Sequence, residues 1–394
     1  MIRRRLTHVV ESLEPGSTQR LLSLVARRLP REYDQRVIAL RAGGENDATI
    51  RRELREAGIE VAVSGKPMDD GERRLATAWR IRRAISREAA DLVHLWDDAS
   101  IRLVGPLAAM KRGGVLTHRP IASRRAGLIC SLRGPRRDAL GIDRYLERRT
   151  LDRSAVIFVN DPTVRRLRLP EFPENERGFY GRALVLPDAY ESFGPSAGGS
   201  LREQFGVSPE TKLIGTACRL TPDANVRDLL FAAALLKLVH TDFRIIVCGD
   251  GPSLVDLRRF AALMRVDDLT IFTGAAIGPD ALIPELFAYV SPAYWDSPSR
   301  EIALAQRHGV PVVAVDTPIR RAELEAEQTG FLFREHDQGE LTRHLHHWLQ
   351  EPELHCKMGD AARERAAPVF AAATVDELAA QYRGIYDSVY ANLP

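Results

Sequence analysis

Short apolar runs alternate with helix-period segments along most of the chain. Leu6–Ser12, Gln35–Leu40, Ile59–Ser64, Asp91–Leu95, Val115–Thr117, Val156–Asn160 and Ala183–Pro187 read as strands. Between them, Thr18–Arg28, Thr49–Ala57, Asp70–Ala89 and Ser100–Lys111 space their apolar residues at three and four, which predicts helices with one buried face. Strands that are apolar throughout, each followed by a helix, indicate a parallel sheet covered on both sides. Such sheets place ligands at the carboxyl ends of their strands, near the point where the strand order reverses.

The pattern then breaks. Residues 194–200, Gly-Pro-Ser-Ala-Gly-Gly-Ser, have the composition of a linker. Beyond them the alternation restarts, with strands at Lys212–Thr216, Phe243–Cys248, Leu269–Thr273, Leu286–Val290 and Val310–Val315, and helices at Asn225–Val239, Ser253–Met264 and Ser299–His308. The tail from Glu340 to Pro394 reads as mostly helical. No repeat of 20–50 residues is present. The expected organisation is a first α/β domain over 1–195 and a second over 196–374. A final helix at about 375–394 is placed to pack back onto the first domain.

Composition narrows this little. The chain has 394 residues, 45% of them apolar and 28% charged, an ordinary globular balance. Its net charge of +3 carries no polyelectrolyte signal. Lysine occurs only at 66, 111, 212, 237 and 357, so the basic residues are nearly all arginine. Cys130, Cys218, Cys248 and Cys356 are far apart and form no CxxC or zinc spacing. Together with an N-terminus that lacks an apolar stretch behind its arginines, they point to the cytoplasm. No run is long and apolar enough for a membrane span. The stretch Arg119–Arg153 holds ten arginines against four acids, with Leu128, Ile129, Leu132, Leu140 and Ile142 interspersed. It reads either as a solvated basic face or as a peripheral contact with anionic lipid at the inner face of the membrane. Nucleic-acid binding is not expected, because interleaved aromatics and an overall basic excess are both missing.

The second half carries an ordered set of motifs. Gly215-Thr-Ala-Cys-Arg219-Leu-Thr-Pro-Asp-Ala-Asn225 precedes an apolar helix. Ile245-Ile-Val-Cys-Gly-Asp-Gly-Pro252 and Ile271-Phe-Thr-Gly274 follow. Arg300-Glu301 then opens a segment running to Val315, and Thr329-Gly-Phe-Leu-Phe333 closes the series. In this order and spacing the set resembles the donor domain of the family 4 (group 1) glycosyltransferases. In the first half, the stretches beginning at His8, Asp91 and Val185 resemble that family's first strand, fourth strand and pre-linker segment. The resemblance covers nearly the whole chain. It implies the α/β GT-B fold, two Rossmann-like doubly wound parallel-sheet domains facing a cleft. It also implies sugar transfer from a nucleotide-diphosphate donor to a carbohydrate or lipid-linked acceptor, with retention of anomeric configuration and without a metal or other cofactor.

Site residues carry over one at a time. Glu301 matches the second acid of the family's paired-glutamate motif, which binds the donor ribose; a carboxylate accepting two hydrogen bonds suits a vicinal diol. The alternative is a plain helix-start acid favoured by the helix dipole. Arg219 matches the arginine that neutralises the diphosphate, as against a solvated surface arginine. Gly215 precedes it, where close approach of a ligand to the backbone would favour a missing side chain. Gly249 and Asp250, with Gly251, are either nucleotide contacts or a structural turn. Ser297 and Ser299 stand before the Glu301 helix; one is its N-cap, and either could touch the diphosphate. His118 matches the first-domain histidine beside the donor sugar, with His94 as the alternative. Gly16, followed by Ser17 and Thr18, occupies a first loop that the family makes Gly-Gly-rich.

Three positions depart from the pattern. The family lysine after the arginine falls on Ala224, with Arg227 the nearest substitute. The first acid, eight residues before Glu301, falls on Ala293, with Asp296 nearby. The usual Gly-Gly after the next strand is Thr317-Pro318. Losing one charged diphosphate ligand costs on the order of 10²–10³ in rate. The competing expectation is therefore a GT-B protein that binds a nucleotide-sugar or a protein partner without turnover.

Overall fold

The computed structural model describes residues 4–14, 16–42, 48–63, 90–108, 127–132, 150–151, 154, 156–159, 183–185, 201–274, 277–294, 299–372 and 374–392. His118, Ser297, Asp296, the expected helix Asp70–Ala89, the expected strand Val115–Thr117, the 194–200 segment and most of 119–153 lie outside them. The chain forms two compact units, one of residues 1–189 with 373–394 and one of residues 190–372.

In the first unit the strands are β1 (Arg4–Val10), β2 (Tyr33–Ala39), β3 (Glu60–Val63), β4 (Leu92–Leu95), β5 (Gly127–Leu132), β6 (Val156–Val159) and β7 (Ala183–Val185). They form one parallel sheet in the order β3-β2-β1-β4-β5-β6-β7. The helices are α1 (Ser17–Arg28), α2 (Ala48–Glu56), α3 (Asp98–Ala108) and, from the C-terminus, the helix Val375–Ala391. The order reverses between β1 and β4. One face is covered by α1, α2 and the C-terminal helix, which brings Leu378, Tyr382, Tyr386 and Val389 onto Leu6, Leu22 and Trp96.

β5 is a correction to the sequence reading. Leu128, Ile129 and Leu132 read as part of either a solvated basic face or a contact with anionic lipid. They lie instead at 5%, 0% and 0% exposure in a strand between β4 and β6. Six residues are too few to show a period against so many flanking arginines, so the burial was hidden.

In the second unit, β8 (Lys212–Ala217), β9 (Phe243–Cys248), β10 (Thr270–Gly274), β11 (Ala288–Ser291), β12 (Val312–Val315) and β13 (Gly330–Phe333) form a parallel sheet in the order β10-β9-β8-β11-β12-β13. Its helices are α4 (Leu201–Phe205), α5 (Val226–Leu236), α6 (Leu254–Leu263), α7 (Pro279–Leu282), α8 (Arg300–Arg307), α9 (Pro318–Glu323), α10 (Gln338–Gln350) and α11 (Pro352–Ala372); the C-terminal helix Val375–Ala391 is then α12. The order reverses between β8 and β11. One apolar layer packs α5, α6 and α10 onto the sheet around Leu229, Phe243 and Trp348, and a second packs the other face through Leu282, Ile302 and Ala305. Thr374 starts α12 with a capping box closed by Glu377. Among the described residues, no helix is long and apolar enough to cross a membrane.

Candidate functional site

The carboxyl ends of β8 and β11 flank the reversal of the second sheet, and of the expected groups Arg219, Ser299 and Glu301 follow these two strands in the chain. Past β8 the ladder with β9 continues into the loops. The Cys218 N–H donates to Cys248 C=O at 3.1 Å, and the Leu220 N–H to Asp250 C=O at 3.0 Å. The Ser253 N–H in turn donates to Leu220 C=O at 2.9 Å. These bonds clamp the Cys218–Leu220 segment and leave the Arg219 side chain exposed between the half-buried Cys218 and the buried Leu220.

The clamp explains the glycines beside it. A Cβ on Gly249, whose φ is +126°, would stand 1.9 Å from the Cys218 oxygen. A Cβ on Gly251 would stand 2.4 Å from the Leu220 oxygen. Both glycines let one loop lie against the other, which is the structural alternative for this turn. Asp250 accepts the Gly251 N–H at 2.7 Å and is exposed. Gly215 has a structural account of the same kind. It lies inside β8, paired with Ile246 and Tyr289, and a Cβ there would meet Leu286 Cδ2 at 2.7 Å.

Glu301 sits in the first turn of α8. Ser299 is the N-cap: its Oγ accepts the Ile302 N–H at 3.2 Å and donates to Glu301 Oε2 at 3.2 Å. The hydroxyl thus satisfies a free helix N–H and holds the carboxylate at once. Burial pushes the Cys218 thiol up to about 12, and the Glu301 charge adds to the rise. Burial first and Glu301 second also hold the Tyr289 hydroxyl well above its ordinary range. That hydroxyl donates to Ala217 C=O at 3.2 Å. Glu301 therefore lies in electrostatic reach of the residues next to Arg219, brought there from 82 positions further along the chain.

The departures take a definite form. Ala224 ends a 3-10 turn, Pro222–Ala224, and is fully buried against Leu220, Val226 and Leu229. Its side-chain direction leads into the core, so a lysine there could not reach solvent without moving the turn. Arg227, one turn on, is not its substitute: the guanidinium lies 5.3 Å from the centre of the Phe260 ring on α6. Ala293 is 4% exposed just after β11.

In the first unit, His94 is excluded as a sugar contact. It is fully buried, with Nδ1 at 2.8 Å from Tyr386 Oη and Nε2 at 2.7 Å from Ser131 Oγ. Desolvation and the neighbouring His8 push its pKa well below the ordinary range. Gly16 is the N-cap of α1 in an extended conformation and makes no side-chain cap. A residue the sequence reading missed is Asp97, at the carboxyl end of β4. Its carboxylate accepts the Glu11 N–H at 2.6 Å and the Ser100 N–H at 2.8 Å, fastening the loop after β1 to the start of α3. Burial raises it to about 6 against the lowering effect of those bonds. The only signal in the sequence was an acid directly after a strand.

Comparison with known proteins adds the following. A family model described as glycosyl transferases group 1 matches residues 199–365, and one described as glycosyl transferase 4-like domain matches residues 16–177. A putative glycosyltransferase, EpsD, of Bacillus subtilis is 24% identical over 187 residues, 48% of this chain and 49% of that protein. N-acetyl-alpha-D-glucosaminyl L-malate synthase of Bacillus anthracis is 23% identical over 193 residues, with 48% and 49% covered. The matched stretch thus spans about half the length of these curated relatives. Among solved structures, Anabaena HepE in complex with UDP and glucose aligns with a TM-score of 0.74 at 17% identity, over 98% of this chain and all of that one.

Proposed function

Because the chain belongs to the group 1 glycosyltransferases and has their GT-B fold, we propose that it moves a sugar from a nucleotide-diphosphate donor to a carbohydrate or lipid-linked acceptor. The observation that carries this reading is that Glu301, at the start of α8, acts electrostatically on Cys218, the neighbour of Arg219 in the loop after β8, where the strand order reverses.

On this reading Glu301 accepts hydrogen bonds from the two ribose hydroxyls of the donor. A charged acceptor makes such bonds about twice as strong as neutral ones. Arg219 meets the negative charge that builds on the diphosphate as the glycosidic bond breaks, a preorganised cation of the kind that lowers such barriers most. The free N–H groups of α8 favour the same anion. Asp250 and the Gly249 backbone bound the nucleotide side of the loop. His118 would act from the first unit beside the sugar. Retention of configuration and independence of metal follow from the family resemblance and belong to the same proposal. A cytoplasmic location is part of it too.

A melting panel with UDP-, GDP-, ADP- and TDP-sugars tests the donor. A ligand at ~100 times its Kd stabilises by about 2.7 kcal/mol. One nucleotide class should raise the melting temperature, and Glu301→Ala should weaken the rise. Release of the nucleoside diphosphate in the presence of acceptor then separates turnover from binding alone. If no sugar nucleotide shifts melting at millimolar concentration, the donor reading is lost.

A further inference from the structure

The start of α8 is held from a second direction, by a helix that stands where the family resemblance expects Gly-Gly. α9 opens on Thr317, whose Oγ1 accepts the Arg320 N–H at 3.2 Å, with Pro318 in the first helical position. This capped start turns the Arg320 guanidinium inward, where it is 2% exposed and donates from Nη1 to Glu323 Oε2. The other carboxylate oxygen, Oε1, accepts the Ser299 N–H at 2.5 Å. Ser299 then holds Glu301 Oε2 through its hydroxyl at 3.2 Å. A continuous chain of hydrogen bonds thus runs Arg320–Glu323–Ser299–Glu301.

The anchor of that chain is itself fixed. The Glu323 C=O accepts from Gln306 Nε2 at 2.8 Å and from Arg365 Nε at 3.3 Å, tying the end of α9 to α8 and α11. A buried guanidinium demands a charged partner, so charge as well as packing dictates where the Glu323 carboxylate stands. The position eight residues before Glu301, where the family resemblance expects the first acid, is the buried Ala293. Arg320 and Glu301 also act with opposite sign on the buried Tyr289 hydroxyl.

We propose that Arg320 and Glu323 are positioning residues: through the Ser299 N–H they fix the N-cap of α8 and so the orientation in which Glu301 meets the donor's ribose. This rests on the reading of Glu301 as the ribose ligand. A vicinal diol is gripped well only by a carboxylate held in one plane, and misplacement by about 1 Å can cost on the order of 10² in rate.

The test uses the paired substitution Arg320→Met/Glu323→Leu, which removes both charges and strands neither, and the milder Glu323→Asp, which keeps the charge but shortens its reach. Two readouts are taken on the full chain. The first is amide exchange over 299–302 without nucleotide, expected to quicken roughly tenfold for the loss of one hydrogen bond to a charged acceptor. Exchange in β8 and β12 should stay as in the wild type. The second is the Kd of whichever of UDP, GDP, ADP or TDP binds tightest, expected to rise roughly tenfold in the paired variant and not at all when Glu301→Ala is already present. Unchanged exchange at 299–302 overturns the proposal, as does an equal loss of affinity in the Glu301→Ala background. If none of the four nucleotides binds the wild type, the ribose role of Glu301 falls, while the exchange result still decides whether the pair sets its position. Should the paired variant not fold, Glu323→Asp is read in the same two ways with a smaller change expected.

Discussion

His8 allows a sharp test of how the first unit is built. It lies at 0% exposure on β1. Trp96 Nε1 donates to its Nδ1 at 3.0 Å, which leaves the proton on Nε2, 3.3 Å from Gln35 Oε1. A second proton would have to sit on Nδ1, facing the indole N–H. Burial lowers its pKa to about 4, with the Gln35 bond opposing. The folded value is below the unfolded one of about 6.5, so the unfolded chain binds more protons as pH falls. The stabilisation is whole above pH 6.5 and is lost progressively down to about pH 4. Linkage gives a loss of about 2 kcal/mol between pH 7 and pH 5 from this one residue. Asp97 works the other way. Raised to about 6, it relieves about 1 kcal/mol of strain over the same range. The net slope of the wild type is therefore not diagnostic, and the difference from His8→Asn is. Asparagine keeps an acceptor for Trp96 but cannot titrate. Urea unfolding of the first unit, read from exchange protection of β1 and β4 amides corrected for the intrinsic rate, should show the gap between the two proteins shifting by about 2 kcal/mol towards the variant from pH 7 to pH 5. A gap that stays constant with pH would refute the burial argument.

Three further outcomes follow from the second unit and the C-terminal helix. Ala224→Lys, which restores the family residue in sequence, should lower the stability of the second unit by several kcal/mol and leave nucleotide affinity no tighter, because the side chain enters a sealed core; tighter binding at unchanged melting would contradict the buried placement. Gly249→Ala should cost about 3 kcal/mol and abolish nucleotide shifts, since its Cβ would overlap the Cys218 oxygen, whereas Gly274→Ala, with nothing within 4 Å, should cost about 1 kcal/mol in the same melting experiment. Thr374→Ala removes the capping box of α12 and should reduce first-unit stability by about 1 kcal/mol, measured by urea unfolding.

Period and composition alone were enough to mark two parallel α/β halves, because a strand buried on both faces has to be apolar throughout and each crossover has to be a helix with one apolar stripe. Eleven of the thirteen described strands lie within two residues of where the pattern put them; β5 shows where this fails, since a short buried strand inside an arginine-rich segment leaves no period to read. The chemistry of the site was also local enough to be written in the sequence: Arg219 after one strand, Glu301 at the start of one helix. What those residues face was not. Sequence spacing could not distinguish a glycine kept for a ligand from one kept for Leu286 or for the Cys218 carbonyl, because both demand a missing Cβ. Nor could it place Ala224 in the core, seal His94 under Tyr386, or link Arg320 to Glu301 through two intermediates. Each of those depends on side chains meeting from distant parts of the chain, and only packing in three dimensions determines which of them touch.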